Sequence, residues 1–167
     1  MKRGFSLIEM LIYLSILGAI FTLFTNSLLA ISRSYAVLKK LTALDSGAIA
    51  SMERITREIR EATSVDLTQS TLGSNPGVLV LNQVDSFGST SKLKFSLTNQ
   101  VLHIARDSTD QGVLLPSSIT APLLIFYSLD SGISKAVKIE MQLRDSEGGA
   151  TRNQSYYSTV ILRGSYK

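Results

Sequence analysis

Between residues 5 and 31 the chain is apolar almost without interruption, and Glu9 is the only charged side chain in that stretch. About twenty apolar residues suffice to cross a bilayer as a helix, so the pattern predicts a membrane-spanning helix. Farther on the pattern becomes one-sided. Leu38, Leu41, Ala48, Met52, Ile55, Ile59 and Ala62 recur at helical spacing, with Asp45 standing where another apolar residue is expected. On the other faces Glu53 and Arg57, Arg54 and Glu58, and Arg57 and Glu61 stand four apart, pairs worth only ~0.2–0.5 kcal/mol each. Their alternating signs mark a solvated helix face. No proline precedes Pro76, so the two halves are expected to form one helix over residues 5–62, about 87 Å long at ~1.5 Å per residue. Gly18 and Gly47 are its soft points.

Beyond Ala62 the period changes. Residues 63–77 are rich in Ser, Thr, Gly and Asn and carry the turn signal Pro76-Gly77, which predicts a linker with a short strand at 65–67. Alternating or apolar runs predict strands at 78–84, 92–98, 100–106, 123–129, 136–143 and 156–163. Thr98-Asn99-Gln100 is short enough for a hairpin connection, Asp130-Ser131-Gly132 reads as a turn, and residues 145–149 form a flexible acidic loop. Leu93, Phe95 and Leu97 share one strand face, and Lys92 and Lys94 the other. The resulting sheet has a face to bury, and the helical stripe ending at Ala62 is what the sequence offers to cover it. The expected class is α+β: a long N-terminal helix whose second half packs on an antiparallel sheet.

Charge and cysteine content narrow the function. The formal net charge is +4, and without Lys2 and Arg3 it falls to +2. So small an excess makes nucleic acid an unfavoured partner, because such binding needs charge clustered on one face. The absence of cysteine excludes a disulfide framework, a cysteine metal site and a thiol nucleophile. Lys2 and Arg3 precede the apolar run, and the positive-inside tendency keeps the N-terminus cytoplasmic and sends the C-terminal bulk outside. A cleaved secretory signal has an apolar region of about 7–15 residues. The run here is longer, and the candidate cleavage site at Ala30 would follow a complete span, so an anchor fits better.

Glu9 is the physical oddity of that anchor. A charged residue at the centre of a membrane helix costs roughly 2.5–3.5 kcal/mol, less near the interface, and such residues usually have a partner in a bundle or assembly. The carboxylate either stays near the interface or awaits a cation from another subunit. Gly4-Phe5-Ser6-Leu7-Ile8-Glu9, preceded by Lys2-Arg3 and followed by the apolar run, resembles the class III signal sequence of type IV pilins and of the pseudopilins of type II secretion systems. The resemblance implies that a prepilin peptidase/N-methyltransferase cuts between Gly4 and Phe5 and methylates the new amino group of Phe5. It also implies that Glu9 pairs with the N-terminal amine of a neighbouring subunit during assembly. Gly18 falls where many pilins carry a glycine. The proline that major pilins commonly carry later in this segment is replaced by the neighbourhood of Asn26, which points to a minor subunit. The implied organisation is a leader at 1–4, a membrane and filament-core half-helix at 5–31, an amphipathic half-helix at 32–62, and a β-sheet head of pilin-like fold at 63–167. The last strand pair is reminiscent of minor pseudopilins of the J type.

The head offers little chemistry. His103 is the only histidine and shares a strand face with Val101 and Ala105, the pattern of a packed or surface side chain. Asp107, Asp110, Asp145 and Glu147 could ligate calcium, but neither region has the spacing of a calcium loop. Asn153-Gln154-Ser155 matches a glycosylation sequon, a frequent chance match. Tyr156 and Tyr157 beside Arg163 and Lys167 could stack on single-stranded nucleic acid, although strand aromatics usually pack. No catalytic residue, cofactor or metal is expected, and the chain is read as not an enzyme. The expected function is a structural subunit, a minor pilin or pseudopilin, of a type IV pilus or type II secretion-like filament. Its partners would be other pilin or pseudopilin subunits, the peptidase, the assembly machinery in the membrane and, before assembly, lipid. It would sit in the cytoplasmic membrane with its head outside and then in an extracytoplasmic filament. The alternative is an uncleaved single-span anchor carrying an extracytoplasmic binding domain.

Overall fold

A computed structural model describes residues 6–84, 87–132, 134–145 and 153–163. Gly4, Phe5, Glu147 and Lys167 lie outside the described residues, as does most of the acidic loop. The chain divides into two compact units, Met1–Leu41 and Thr42–Lys167.

One helix, α1, covers Leu7–Glu61. The carbonyl of Ser6 accepts the amides of Glu9 and Met10, which places Ser6 at the N-cap position that serine favours. In the first unit α1 is exposed nearly throughout. In the second unit it buries one stripe: Leu44, Gly47, Ala48, Ser51, Ile55, Glu58 and Ile59, with Ala62 just past its end. The stripe starts later than its sequence pattern, since Leu38 is 61% exposed and Leu41 only half-buried. Gly47 is not a soft point. A Cβ added there would stand 2.8 Å from Ile119 Cδ1, so glycine permits close packing of α1 on the head.

The head contains two antiparallel sheets rather than the single one expected. The first is a five-stranded meander of β1 (Ser64–Val65), β2 (Leu79–Val84), β3 (Thr90–Thr98), β4 (Val101–Arg106) and β5 (Thr109–Val113), in that order. The second comprises β6 (Ile119–Asp130), β7 (Lys135–Asp145) and β8 (Asn153–Ile161). Asn99 and Gln100 both have positive φ, as do Asp107 and Ser108, so both two-residue hairpin turns are of the type I′ that matches strand twist. After β5 the chain reaches Pro116, which has no amide to continue a ladder. It turns through a bond from Ile119 N–H to the Pro116 carbonyl and begins the second sheet. Pro122 is tolerated inside β6 because it lies where the register with β7 shifts, between Thr120 and Leu123.

Inward side chains of both sheets meet α1 in one cluster. Leu81, Leu93, Phe95 and Leu102 come from the first sheet, and Leu124, Phe126, Ile139 and Met141 from the second, around Leu44, Ala48, Ile55 and Ile59. Leu93 and Phe95 are buried while Lys92 and Lys94 are exposed, as the alternation predicts. The predicted linker is not slack. Gly73 and Gly77 donate their amides to the Phe126 and Leu124 carbonyls, at 2.8 and 2.7 Å. Asn75 donates to the Pro122 carbonyl and accepts the Leu124 amide. A Cβ at Gly77 would lie 2.8 Å from the Leu124 carbonyl oxygen and 3.2 Å from Ile125 Cα, backbone atoms that cannot step aside. Gly77→Ala should therefore destabilise the head by about 1–3 kcal/mol, the usual range for overpacking. Urea unfolding of the full chain in detergent micelles, followed by tyrosine fluorescence, measures it.

Candidate assembly site

Residues 7–31 of α1 present an apolar surface around its whole circumference. Leu7, Phe21 and Leu23 are 78, 69 and 72% exposed, and residues on every side of the helix are similarly uncovered. A helix apolar all round belongs among other helices or in lipid. Four of its hydroxyls bond back to the helix. Ser15, Thr22, Thr25 and Ser34 donate to the carbonyls of Leu11, Gly18, Phe21 and Ala30 at 2.7–3.0 Å. These bonds satisfy the side chains without water, which an apolar surrounding demands. The helix is long and apolar enough to cross a membrane.

Glu9 lies in the first turn of α1, where the partial positive charge of the helix N-terminus favours a carboxylate by about 0.3–1 kcal/mol. Tyr13, one turn on, donates its hydroxyl to Glu9 Oε1 at 3.4 Å, long for an O–H···O bond. Neither contact neutralises the charge. The spacing Ser6-x-x-Glu9 is also that of a capping box, a local reason for serine and glutamate at these positions that the motif alone does not reveal. Gly4 and Phe5, the other two residues singled out by the sequence, lie outside the described residues.

The head separates residues that the sequence placed together. His103 is half-buried on the outer face of β4, with Nδ1 3.2 Å from Asp110 Oδ2. Asp110 is held below the usual carboxylate range first by the Gly112 amide and then by His103. Asp107 accepts the Lys92 amide. Among the described residues no three His, Asp or Glu side chains converge on a point where a metal ion could sit. Tyr156 and Tyr157, adjacent in β8, face opposite ways, so they do not form one stacking platform. Tyr157 is 62% exposed, whereas the Tyr156 hydroxyl donates to Asp45 Oδ1 at 2.8 Å, with Gln154 donating to the same oxygen at 3.2 Å. Asn153 of the sequon accepts Arg144 Nε at 2.8 Å.

Two acids of α1 have roles that the helical pattern hid. Asp45 is the polar anchor of β8 on the helix, not a break in the stripe. Glu58 is not on a solvated face: it is 4% exposed, with Arg54 at 2.8 Å, Gln83 donating at 2.8 Å and Arg106 at 3.7 Å. Asp66, just after β1, is drawn well below the usual range chiefly by Lys92, whose Nζ lies 2.8 Å away. Each of these three carboxylates ties two elements of the head together.

Residues 1–25 match the family model described as "Prokaryotic N-terminal methylation motif". This is the class III prepilin signal of type IV pilins and pseudopilins. No curated protein and no solved structure matches the chain.

Burial raises the Tyr156 hydroxyl above its ordinary range, with the Asp45 hydrogen bond and charge adding to the effect. A folded-state value above the unfolded one, near 10 for tyrosine, gives stability that is complete below about pH 10 and is lost as pH rises. Tyr156→Phe should cost about 1 kcal/mol at pH 7 for the missing hydrogen bond. It should also flatten part of the alkaline loss. Urea midpoints of both proteins at pH 7 and pH 10.5 check this.

Proposed function

We propose that this chain is a structural subunit, a minor pilin or pseudopilin, of a type IV pilus or type II secretion-like filament. Residues 1–4 are its leader, 5–31 the membrane and later filament-core half of its helix, 32–62 the amphipathic half, and 63–167 its head. The observation that carries the reading is the N-terminal methylation motif at the head of a helix whose apolar surface is uncovered on all sides. A prepilin peptidase cuts between Gly4 and Phe5 and methylates the amine of Phe5. The subunit starts in the cytoplasmic membrane with its head outside, and the assembly machinery moves it into a filament of other pilin or pseudopilin subunits. The absence of the later proline supports the minor assignment. No catalytic role is proposed.

In this reading Glu9 is the polar half of an assembly contact. Its carboxylate retains accepting capacity beyond the long Tyr13 bond, and the new amine of a neighbouring Phe5 supplies the cation. In a low-dielectric bundle such a pair fixes register, because any other stagger leaves a buried charge unmatched.

Mass spectrometry of the mature N-terminus decides between this reading and an uncleaved anchored binding protein. N-methyl-Phe5 is expected after co-expression with an active prepilin peptidase, and an intact Met1 or Lys2 under those conditions refutes it. Glu9→Leu should still be cut and methylated while its incorporation into sheared filaments falls at least tenfold. Normal incorporation of that variant would remove the pairing role.

A further inference from the structure

Among the described residues the two sheets of the head have four edges, of which two are covered and a third is short. The β2 side is covered by β1 and by residues 66–71, through bonds such as Asp66 N–H to Val80 O and Thr71 N–H to Val78 O. The β5 edge is short, carries Asp110 and Gly112, and lies beside a bulge between Ile104 and Ala105. The β6 edge is capped by residues 73–77. These are the ordinary devices by which proteins blunt strand edges.

Among the described residues β8 has none of them. It is nine residues long, contains neither proline nor a charged side chain, and pairs with β7 without a register shift. Among the described residues no strand lies on its other side. Leu162 N–H donates to Lys135 O at 3.0 Å, and the β7 register continues from that pair. In an antiparallel ladder, alternate residues therefore turn both backbone groups towards β7. Ser155, Tyr157, Thr159 and Ile161 turn theirs outward. Beside the last of these, a groove of about 660 Å³ opens between the C-terminal turns of α1 and the end of β8. Arg57, Arg60 and Arg163 line it against Glu53 and Glu61. Glu53 is taken by Arg57 at 3.3 Å, while among the described residues Arg60, Arg163 and Glu61 form no ion pair, which leaves the groove one positive charge in excess.

We infer that the β8 edge is a docking site for an extended strand of another protein, bearing carboxylates on the face that meets the groove. The strand hydrogen-bonds to the outward groups of residues 155–161. Its groove-facing side chains reach Arg60 and Arg163, and its other face lies beside Tyr157 and Ile161, which are 62 and 45% exposed. A second copy of this chain fits less well. Closed pairing of two identical edges is antiparallel and two-fold, which reverses helix segment 42–61 of one copy relative to the other. Subunits drawn from one membrane enter with one polarity. That choice of occupant rests on the filament-subunit reading, whereas the open edge does not.

The test is titration of the full chain in detergent micelles with a nine-residue peptide, Val-Glu-Val-Glu-Val-Ser-Val-Ser-Val, and with its counterpart carrying lysine for glutamate. The glutamate peptide should bind at least tenfold more tightly, and Arg60→Glu should reverse that order. Hydrogen exchange at Ser155, Tyr157, Thr159 and Ile161 should slow on binding, while Tyr156 and Ser158 stay unchanged. Thr159→Pro removes an outward amide without touching the β7 ladder and should abolish binding. If that variant does not fold, the exchange pattern and Arg60→Glu decide. Binding of neither peptide, equal binding of both, or a concentration-dependent dimer lost in Thr159→Pro each overturns the inference. None of these readouts depends on cleavage at Gly4, so their failure is distinct from failure of the proposed function.

Discussion

A single helix has to live in two surroundings, and the rest of the molecule answers to that constraint. In the stretch that begins at Leu7, every face is apolar and exposed. From Leu44 onward only one stripe is buried, and the opposite faces carry charge. Water suits the second part and not the first. The hydroxyl bonds of Ser15, Thr22 and Thr25 to carbonyls of the preceding turn let these side chains tolerate surroundings that offer no hydrogen bonds. The head, in turn, supplies the two sheet faces that the one-sided stripe needs, which is why its core forms around α1 and not between the sheets alone.

Against that background the charge on Glu9 can be weighed. Favourable interaction with the helix N-terminus offsets about 0.3–1 kcal/mol, while burial of a charge in a membrane helix costs roughly 2.5–3.5 kcal/mol at the centre. The cost is less near the interface, and Glu9 lies in the first turn of α1; in the proposed reading a neighbouring amine meets what remains. The acids of the head show the opposite condition. Asp45 and Glu58 each have partners from a different element at 2.8 Å, so their charges are satisfied within the chain. An acid paired across two elements holds a fold together; an acid with only a long bond from its own helix suits the proposed assembly contact.

The sequence made the helix and most strands legible because both rest on periodicity. The N-terminal motif was legible because its chemistry is contiguous. What escaped depended on neighbours that periodicity does not encode. β5, with Thr-Asp-Gln-Gly-Val, alternates nothing, and its turn at Asp107-Ser108 adopts positive φ without the glycine that usually announces it. The split into two sheets follows from where Pro116 ends one ladder. Asp45 and Glu58 were read from α1 alone, as a gap in a stripe and as half of an exposed pair. Their partners Tyr156 and Gln83 lie far along the chain. Gly47 looked soft for the same reason, since Ile119 is invisible from the helix. For the site, Glu9 was found by its cost in an apolar run, while the capping-box spacing with Ser6 needed the helix start to be placed.

The two features that remain unanswered within one chain are of different kinds. The helix surface is non-directional: apolar area gains from any apolar cover, lipid or other helices. It can therefore support transfer between those surroundings but cannot by itself choose a neighbour. The β8 edge is directional. Its hydrogen-bonding groups accept only an extended backbone at a fixed stagger, and Arg60 and Arg163 bias the side chains that backbone can bring. In the proposed reading the drive for assembly lies in α1 and the choice of a particular neighbour in the head. In that reading Glu9 stands between the two cases, because its proposed pairing adds a single directional contact to a surface that is otherwise indifferent to register.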